Sequence, residues 1–208
     1  MSVLQRQFNL KQIMKETPVS FALVVINTLV FVIGRILYEF TDIDFYTLGA
    51  LNPEVITYFN EWYRLFTAAF LHFEFFHFLS NVVIGIYILC SALERIIGST
   101  KFSLIYFGSM LLSSLLVFAL SDGWTLGASG AIFGGLGALL YITFYRPDLL
   151  PIQDIQRIRG LVIINVVFTL IFRDTISLPG HAGGLLAGLL LGYLFVPRDK
   201  EDQDIYYS

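Results

Sequence analysis

The sequence predicts an all-α, polytopic membrane protein, a bundle of six transmembrane helices, and three observations lead to this prediction. Of the 208 residues, 56% are hydrophobic and only 14% are charged, and the mean hydropathy is +0.74, which is too apolar for a soluble domain. The apolar residues gather in six runs separated by short polar joints. The only cysteine, Cys90, lies inside one run, so packing rather than disulfide bonds must hold the fold together.

The composition also excludes some classes of function. The 20 Phe and 11 Tyr argue against a disordered chain, and the 13 Lys and Arg form no basic surface that could bind nucleic acid. We therefore expect membrane lipid as the surroundings and no nucleic-acid partner.

The first predicted helix is residues 19–38. A leader with Arg6, Lys11 and Lys15 precedes it and no small-x-small cleavage site follows, so we expect it to remain as a helix rather than to be removed as a signal peptide. The other runs are residues 76–96, 102–120, 129–144, 160–172 and 181–196. The last three are near or below the roughly 17 residues that a spanning helix needs, so either the helices extend into the joints or the bilayer is locally thin.

The positive charges predict the orientation, because cytoplasmic joints of membrane proteins are rich in Lys and Arg. With a cytoplasmic N-terminus, the outer side keeps only Arg35, Arg64 and Arg173 of the 13 Lys and Arg. We therefore expect a cytoplasmic segment at 1–18, a six-helix membrane domain at 19–196 and a cytoplasmic acidic tail at 197–208. The ten residues on the cytoplasmic side would be Arg6, Lys11, Lys15, Arg95, Lys101, Arg146, Arg157, Arg159, Arg198 and Lys200.

The joint between the first two helices, residues 39–75, is unusual. It is too long for a hairpin connection and too apolar for a solvated loop, and Trp62, Tyr63 and Arg64 are typical of the headgroup level. We predict a partly helical, interfacial segment that is half-sunk in the outer leaflet.

Polar residues inside membrane spans are costly, so each is a functional candidate. The three histidines of the chain are His72, His77 and His181, and two of them lie at the outward ends of predicted helices two and six. Ser129, within Gly127-Ala128-Ser129-Gly130, opens helix four at the same depth. A serine here also has a plain structural interpretation, because serine is a favoured helix N-cap and is common in membrane helices.

The glycines favour a functional interpretation of Ser129. Ten of the 17 glycines fall within 127–137 and 180–192, and they include Gly130-x3-Gly134 and Gly184-x3-Gly188-x3-Gly192. Small-x3-small spacing lets two helix backbones approach closely, so helices four and six can press together near their outer ends. Ser129 would then face His181, and a histidine is the usual base that activates a serine hydroxyl.

His77 and Asn81 are four residues apart and therefore share one face of helix two. Their side chains and the backbone N–H of Ser129 could donate hydrogen bonds to an oxyanion. The alternative is that His77 and Asn81 only hold helices together.

Three histidines could also bind zinc, but the spacing disfavours a metal site. His72 and His77 are five residues apart, which separates them by roughly 140° around a helix. The nearest carboxylate in sequence is Glu74. We expect no metal and no cofactor.

Four motifs in this order on six spans resemble the rhomboid family of intramembrane serine proteases. The motifs are Trp62-Tyr63-Arg64, His72-x4-His77-x3-Asn81, Gly127-Ala128-Ser129-Gly130 and His181-x-Gly183-Gly184. The resemblance implies that Ser129 is the nucleophile and His181 the base, without a third acidic residue. It also implies that His77, Asn81 and the Ser129 N–H form the oxyanion hole, with His72, Arg64, Phe133, Gly127 and Gly130 in support. The joint 173–180 would correspond to the family's outer cap and helix five to its lateral gate.

The sequence departs from the family pattern at three positions. The aromatic residue that packs on the base, often a tyrosine in the family, is Phe133 here, which keeps the ring and lacks the hydroxyl. Tyr63 interrupts the Trp-Arg pair, and Gly180 stands before the base where the family usually has alanine. None of the three removes a catalytic atom, so we expect an active enzyme.

The resemblance implies single-pass transmembrane proteins as substrates, cleaved at or near the outer leaflet of the cell membrane. Two alternatives remain open at this point. An inactive rhomboid-like protein would bind client helices without cutting them, and a small transporter would line a path with polar residues, although the inverted repeats of transporters are not visible here.

Overall fold

The computed structural model describes Leu4 and residues 14–196. Most of the predicted cytoplasmic segment 1–18 and the whole predicted acidic tail 197–208 lie outside the described residues. The described chain is helical without a strand, and its one isolated antiparallel bridge joins Leu51 to Thr125. Four helices are long and apolar enough to cross a membrane, and a fifth apolar helix is shorter. The prediction of an all-α, polytopic membrane protein is therefore confirmed.

Six long helices correspond to the six apolar runs, and short helices fill the long joint after the first. In chain order the helices are α1 Pro18–Phe40, α2 Phe45–Leu48, α3 Pro53–Phe59, α4 Arg64–Thr67, α5 Phe75–Ile97, α6 Ser99–Leu120, α7 Ser129–Tyr145, α8 Ile152–Ile171 and α9 Leu178–Phe195. Three further pieces are a π-helical stretch Ser80–Cys90 inside α5 and the 3-10 turns Ala68–Phe70 and Pro147–Leu149.

The late helices are longer than their apolar runs. Helix α8 begins at Ile152, whereas the apolar run begins at residue 160. The first turns of the helix contain the charged residues Asp154, Arg157 and Arg159, so a hydropathy pattern does not include them. Helix α9 begins three residues before His181 at Leu178, where Pro179 is tolerated in the first turn. Of the two options that the short runs left open, extension into the joints is the one observed.

Helix α7 is the centre of the bundle and packs mainly on α9 and α6. A Cβ on Gly184 would overlap the carbonyl oxygen of Gly130 and lie 2.9 Å from its carbon, so the two backbones touch with no room for a side chain. One turn deeper, Gly188 meets Gly134 in the same way. The sequence predicted that the fourth and sixth apolar runs approach closely through their glycines, and this is confirmed for the corresponding helices α7 and α9.

Helix α6 contributes small polar residues to the same seam. A Cβ on Gly130 would collide with Ser113, and a Cβ on Gly134 would collide with Ser109, so α6 also lies directly against α7. The hydroxyl of Ser113 donates to the carbonyl of Gly180 at 2.7 Å, which fixes α6 to the start of α9.

Residues 39–75 form an ordered, partly helical segment, as predicted; its depth in the outer leaflet stays a prediction. The guanidinium of Arg64 is buried and organises the segment: Nη1 donates to the carbonyls of Tyr46 and Ala50 at 2.7 and 2.9 Å, and Nε pairs with Glu61 at 2.6 Å. The Arg64 guanidinium lies 5.6 Å from the centroid of the Tyr63 ring. Trp62 instead packs on Phe118 of α6, with ring centroids 5.3 Å apart.

At the opposite end of the bundle, a buried carboxylate joins three helices. Glu94 of α5 accepts hydrogen bonds from the backbone N–H groups of Val19 and Ser20 at 3.0 and 2.8 Å, in the first turn of α1. It also accepts the hydroxyl of Ser99, the first residue of α6, at 2.7 Å. A negative charge at a helix N-terminus is favourable, because it meets unpaired N–H groups and the positive end of the helix dipole.

Candidate active site

The candidate residues meet at one end of the bundle. Helices α5, α7 and α9 begin there, and α8 ends there. The contacts that establish this are His77 against Gly127, Gly130 against Gly184, and Thr169 against His181.

The turn before α7 fits closely between neighbouring segments. Gly127 has φ +121°, which a residue with a side chain rarely adopts, and its N–H donates to the carbonyl of Ala68 at 2.9 Å. A Cβ on Gly127 would lie 2.7 Å from Cε1 and 2.8 Å from Nε2 of His77. Only glycine therefore lets the His77 ring lie against the backbone two residues before Ser129.

His72 holds the next residue of this turn. Its fully buried ring accepts the N–H of Ala128 at Nε2, at 3.4 Å. Burial, with a further contribution from His77, lowers the pKa of His72 to about 3, so the ring is neutral and its proton is on Nδ1. The His72 and His77 rings meet edge to face, with centroids 5.1 Å apart. His72 thus contacts the turn rather than a reacting group.

Ser129 is the first residue of α7 and is partly exposed. As the first residue, its N–H has no acceptor within the helix, and among the described residues no backbone carbonyl accepts it, so it can donate to a ligand. The next residue, Gly130, is the one whose carbonyl touches Gly184 of α9. Phe133 follows Ser129 by one helical turn and therefore lies on the same face of α7.

His181 lies in the first turn of α9 and is held on both sides. The Ser177 hydroxyl caps this turn by accepting the N–H of Gly180 at 3.2 Å. The Phe133 ring stacks on the imidazole, with centroids 3.9 Å apart and 20° between the planes. Nδ1 of His181 lies 2.8 Å from the hydroxyl oxygen of Thr169 on α8.

Ser129 and His181 therefore lie at the same end of neighbouring helices, with Phe133 one turn below the first and stacked on the second. Among the described residues, no hydrogen bond joins the Ser129 hydroxyl to the imidazole. Catalytic hydrogen bonds are often long in the absence of substrate and shorten in the complex, so this arrangement is compatible with a serine and its base.

Asn81 is buried one turn after His77 on α5. Its amide nitrogen donates to the carbonyl of His77 at 2.9 Å, which uses one of its two protons. The polar partner that a buried amide requires is thus the backbone of its own helix.

Three residues near the site had no place in the sequence prediction: Thr169, Ser113 and Ser177. Ser113 and Thr169 each sit in an apolar helix, where a hydroxyl commonly bonds the backbone of its own helix and so has no distinctive pattern. Ser177 had a recognisable signal, because a serine directly before Leu178-Pro179 is a typical N-cap followed by an early proline.

Comparison with known proteins places the chain in a family. The model of the rhomboid domain matches residues 59–198, which include every candidate site residue. YdcA of Bacillus subtilis is 33% identical over 157 residues, covering 74% of this chain and 74% of YdcA. The rhomboid protease GluP of Bacillus subtilis is 34% identical over 150 residues, covering 67% of this chain but 29% of GluP. The rhomboid protease GlpG of Klebsiella pneumoniae is 29% identical over 182 residues, covering 85% of this chain and 63% of GlpG. From the match over residues 59–198 and the similarity to these proteins, we conclude that the chain belongs to the rhomboid family.

Proposed function

We propose that the protein is an intramembrane serine endopeptidase with Ser129 as nucleophile and His181 as general base. The observation that carries the proposal is the packing of α7 on α9 through Gly130 and Gly184, which brings Ser129 and His181 to one end of the bundle with Phe133 stacked on the imidazole. Two relatives with the name rhomboid protease support the class of reaction.

In the first half of the reaction, the Ser129 oxygen attacks the carbonyl carbon of the substrate and its proton passes to His181. The tetrahedral intermediate then collapses, the C–N bond breaks, and the imidazolium returns the proton to the leaving amine. An acyl group remains on Ser129. Water then repeats the sequence: it gives a proton to His181, attacks the ester carbon, and Ser129 regains a proton as it leaves.

The negative charge of the intermediate needs hydrogen-bond donors. The Ser129 N–H is free at the start of α7, and His77 reaches the preceding turn at Gly127. Asn81 is one turn further along α5 and keeps one amide proton free. We assign these three donors to the oxyanion hole, with His72 and Arg64 holding the backbone around it.

The distribution of Lys and Arg favours an arrangement with both termini in the cytoplasm and the site toward the outer side of the cell membrane. An extended peptide has to reach Ser129, but a substrate helix in lipid satisfies its own backbone hydrogen bonds. Preferred substrates are therefore single-pass proteins with small or helix-breaking residues near their outward end.

Comparison of Ser129→Ala with wild type in proteoliposomes containing a generic transmembrane substrate tests the proposal. Ser129→Ala should be inactive, and Ser103→Ala serves as matched control, because Ser103 is a partly buried serine on α6 whose hydroxyl donates to the Ser99 carbonyl of its own helix. Substantial cleavage by Ser129→Ala would refute the assignment. If wild type binds client helices without cleaving them, and Ser129→Ala binds them equally well, the non-catalytic alternative is favoured.

A further inference from the structure

The hydroxyl of Thr169 lies between two polar atoms. Its oxygen is 2.8 Å from the carbonyl oxygen of Asn165, one turn earlier on α8, and 2.8 Å from Nδ1 of His181 on α9. Thr169 is buried, with 3% of its surface exposed, whereas His181 is partly exposed.

The protons in this arrangement can be assigned by elimination. A carbonyl oxygen only accepts, so the single hydroxyl proton of Thr169 points to Asn165. The Thr169 oxygen then offers a lone pair to His181, and the short contact is a hydrogen bond only if Nδ1 carries the imidazole proton. Nε2 of the neutral ring is consequently unprotonated and able to accept a proton.

We propose that Thr169 is a positioning residue that holds His181 in the Nδ1–H tautomer, so that Nε2 is the nitrogen that takes the proton of Ser129. The proposal rests on the proposed function, in which His181 is the base. Phe133 sets the plane of the ring by stacking, and Thr169 sets its rotation within that plane and its tautomer. The third member of the site is thus a neutral hydroxyl on a different helix from the base.

This arrangement also makes the base depend on α8. Helix α8 packs mainly on α7 and makes few contacts with α9. Movement of the outer end of α8 away from α9 would separate Thr169 from His181, and the imidazole would lose its preference for the Nδ1–H tautomer.

The test uses Thr169→Val, which keeps the shape and removes the hydroxyl, and Thr169→Ser, which restores it. Thr28→Val is the matched control, because the Thr28 hydroxyl also bonds a carbonyl one turn earlier, that of Val24 at 2.7 Å, but lies on α1. Nitrogen-15 NMR of the histidine-labelled protein reads the tautomer directly, since the chain has only three histidines and a His181→Ala spectrum assigns the signal.

We expect the wild type to show Nδ1–H and unprotonated Nε2 at His181, and Thr169→Val to lose this preference. The kcat of Thr169→Val should fall about tenfold with KM unchanged, the loss expected for one neutral hydrogen bond. Thr169→Ser should restore both the tautomer and kcat, and Thr28→Val should behave as wild type.

A wild-type signal with the proton on Nε2 overturns the proposal without any variant, and this measurement stands even where Thr169→Val fails to fold. An unchanged tautomer in Thr169→Val overturns it as well, whatever happens to kcat. The same spectrum is also recorded on Ser129→Ala, because the NMR measurement does not require an active enzyme. Cleavage by Ser129→Ala would refute the proposed function, whereas an inactive Ser129→Ala with an Nε2–H imidazole would refute only the role of Thr169.

Discussion

Replacing Gly184 with alanine should separate α7 from α9 at the candidate site. The new Cβ would lie 2.9 Å from the carbonyl carbon of Gly130 and nearer still to its oxygen, where ordinary contacts are 3.4–4 Å. The carbon alone requires a shift of about 0.5 Å and the oxygen requires more, and both atoms belong to a helix backbone that cannot rotate away. Overpacking costs about 1–3 kcal/mol, and contact with a rigid backbone places the cost toward the upper end of this range, above the roughly 1 kcal/mol by which alanine favours a helix over glycine.

The same shift acts on activity, because Gly130 follows Ser129 directly and Gly184 is one turn from His181. A misplacement of about 1 Å in a catalytic geometry can cost on the order of 100-fold in rate, and we expect a loss of this size for Gly184→Ala. The measurements are the initial rate of cleavage of a transmembrane substrate in proteoliposomes and the thermal unfolding temperature in detergent.

Gly160→Ala is the matched control, since a Cβ at Gly160 of α8 meets nothing within 4 Å. This variant should unfold at the wild-type temperature or slightly above it, because only the helix propensity changes. Wild-type rate and unfolding temperature in Gly184→Ala would refute the reasoning that backbone contact at this glycine holds the two helices in register.

Four further predictions concern the site and its surroundings. Ser129→Ala and His181→Ala should each abolish cleavage, and the double variant should be no worse than either, because the two residues act as a unit; additive losses in kcat/KM would contradict this. His77→Ala and Asn81→Ala should each lower kcat by roughly tenfold or more with little change in KM, and full turnover in both variants would leave them only a structural role. The folded-state pKa of His72 is about 3, against an ordinary 6.5, so between these pH values the unfolded chain binds more protons than the folded one. The unfolding temperature should therefore fall as pH drops from 6.5 toward 3. His72→Phe should reduce this dependence of the unfolding temperature on pH, and an unchanged dependence would contradict the prediction. Moving a Gly-Pro pair in a substrate from its outward to its cytoplasmic end should suppress cleavage, and cysteine labelling that places position 129 on the cytoplasmic side would overturn the proposed orientation.

Much of the fold was accessible from the sequence because hydropathy and small-residue spacing have a direct physical meaning in lipid. The six runs predicted six long helices, and the glycines of α7 and α9 predicted the backbone contact between Gly130 and Gly184. The start of α8 at Ile152 was not predicted, since a charged first turn has no hydropathy signal.

The contacts that hold the site in place were harder to predict. Thr169 and Ser113 make contacts between helices that depend on rotation about the helix axis, and in a uniformly apolar sequence no amphipathic pattern reports that rotation. The position of Gly127 against His77 likewise depends on a left-handed backbone angle and on a ring from another helix. Such features appear only after the helices have been packed.

The buried Glu94 has a consequence for the order in which the protein is made. It accepts the amides of Val19 and Ser20 from positions 75 and 74 residues further along the chain. At the usual rate of synthesis, about 5–20 residues per second, Val19 and Ser20 are synthesised roughly 4–15 seconds before Glu94. During that interval these N–H groups need another acceptor, such as water or a lipid headgroup, because hydrocarbon offers none. The first turn of α1 therefore gains its Glu94 acceptor only after α5 has been made, so this contact forms late in synthesis.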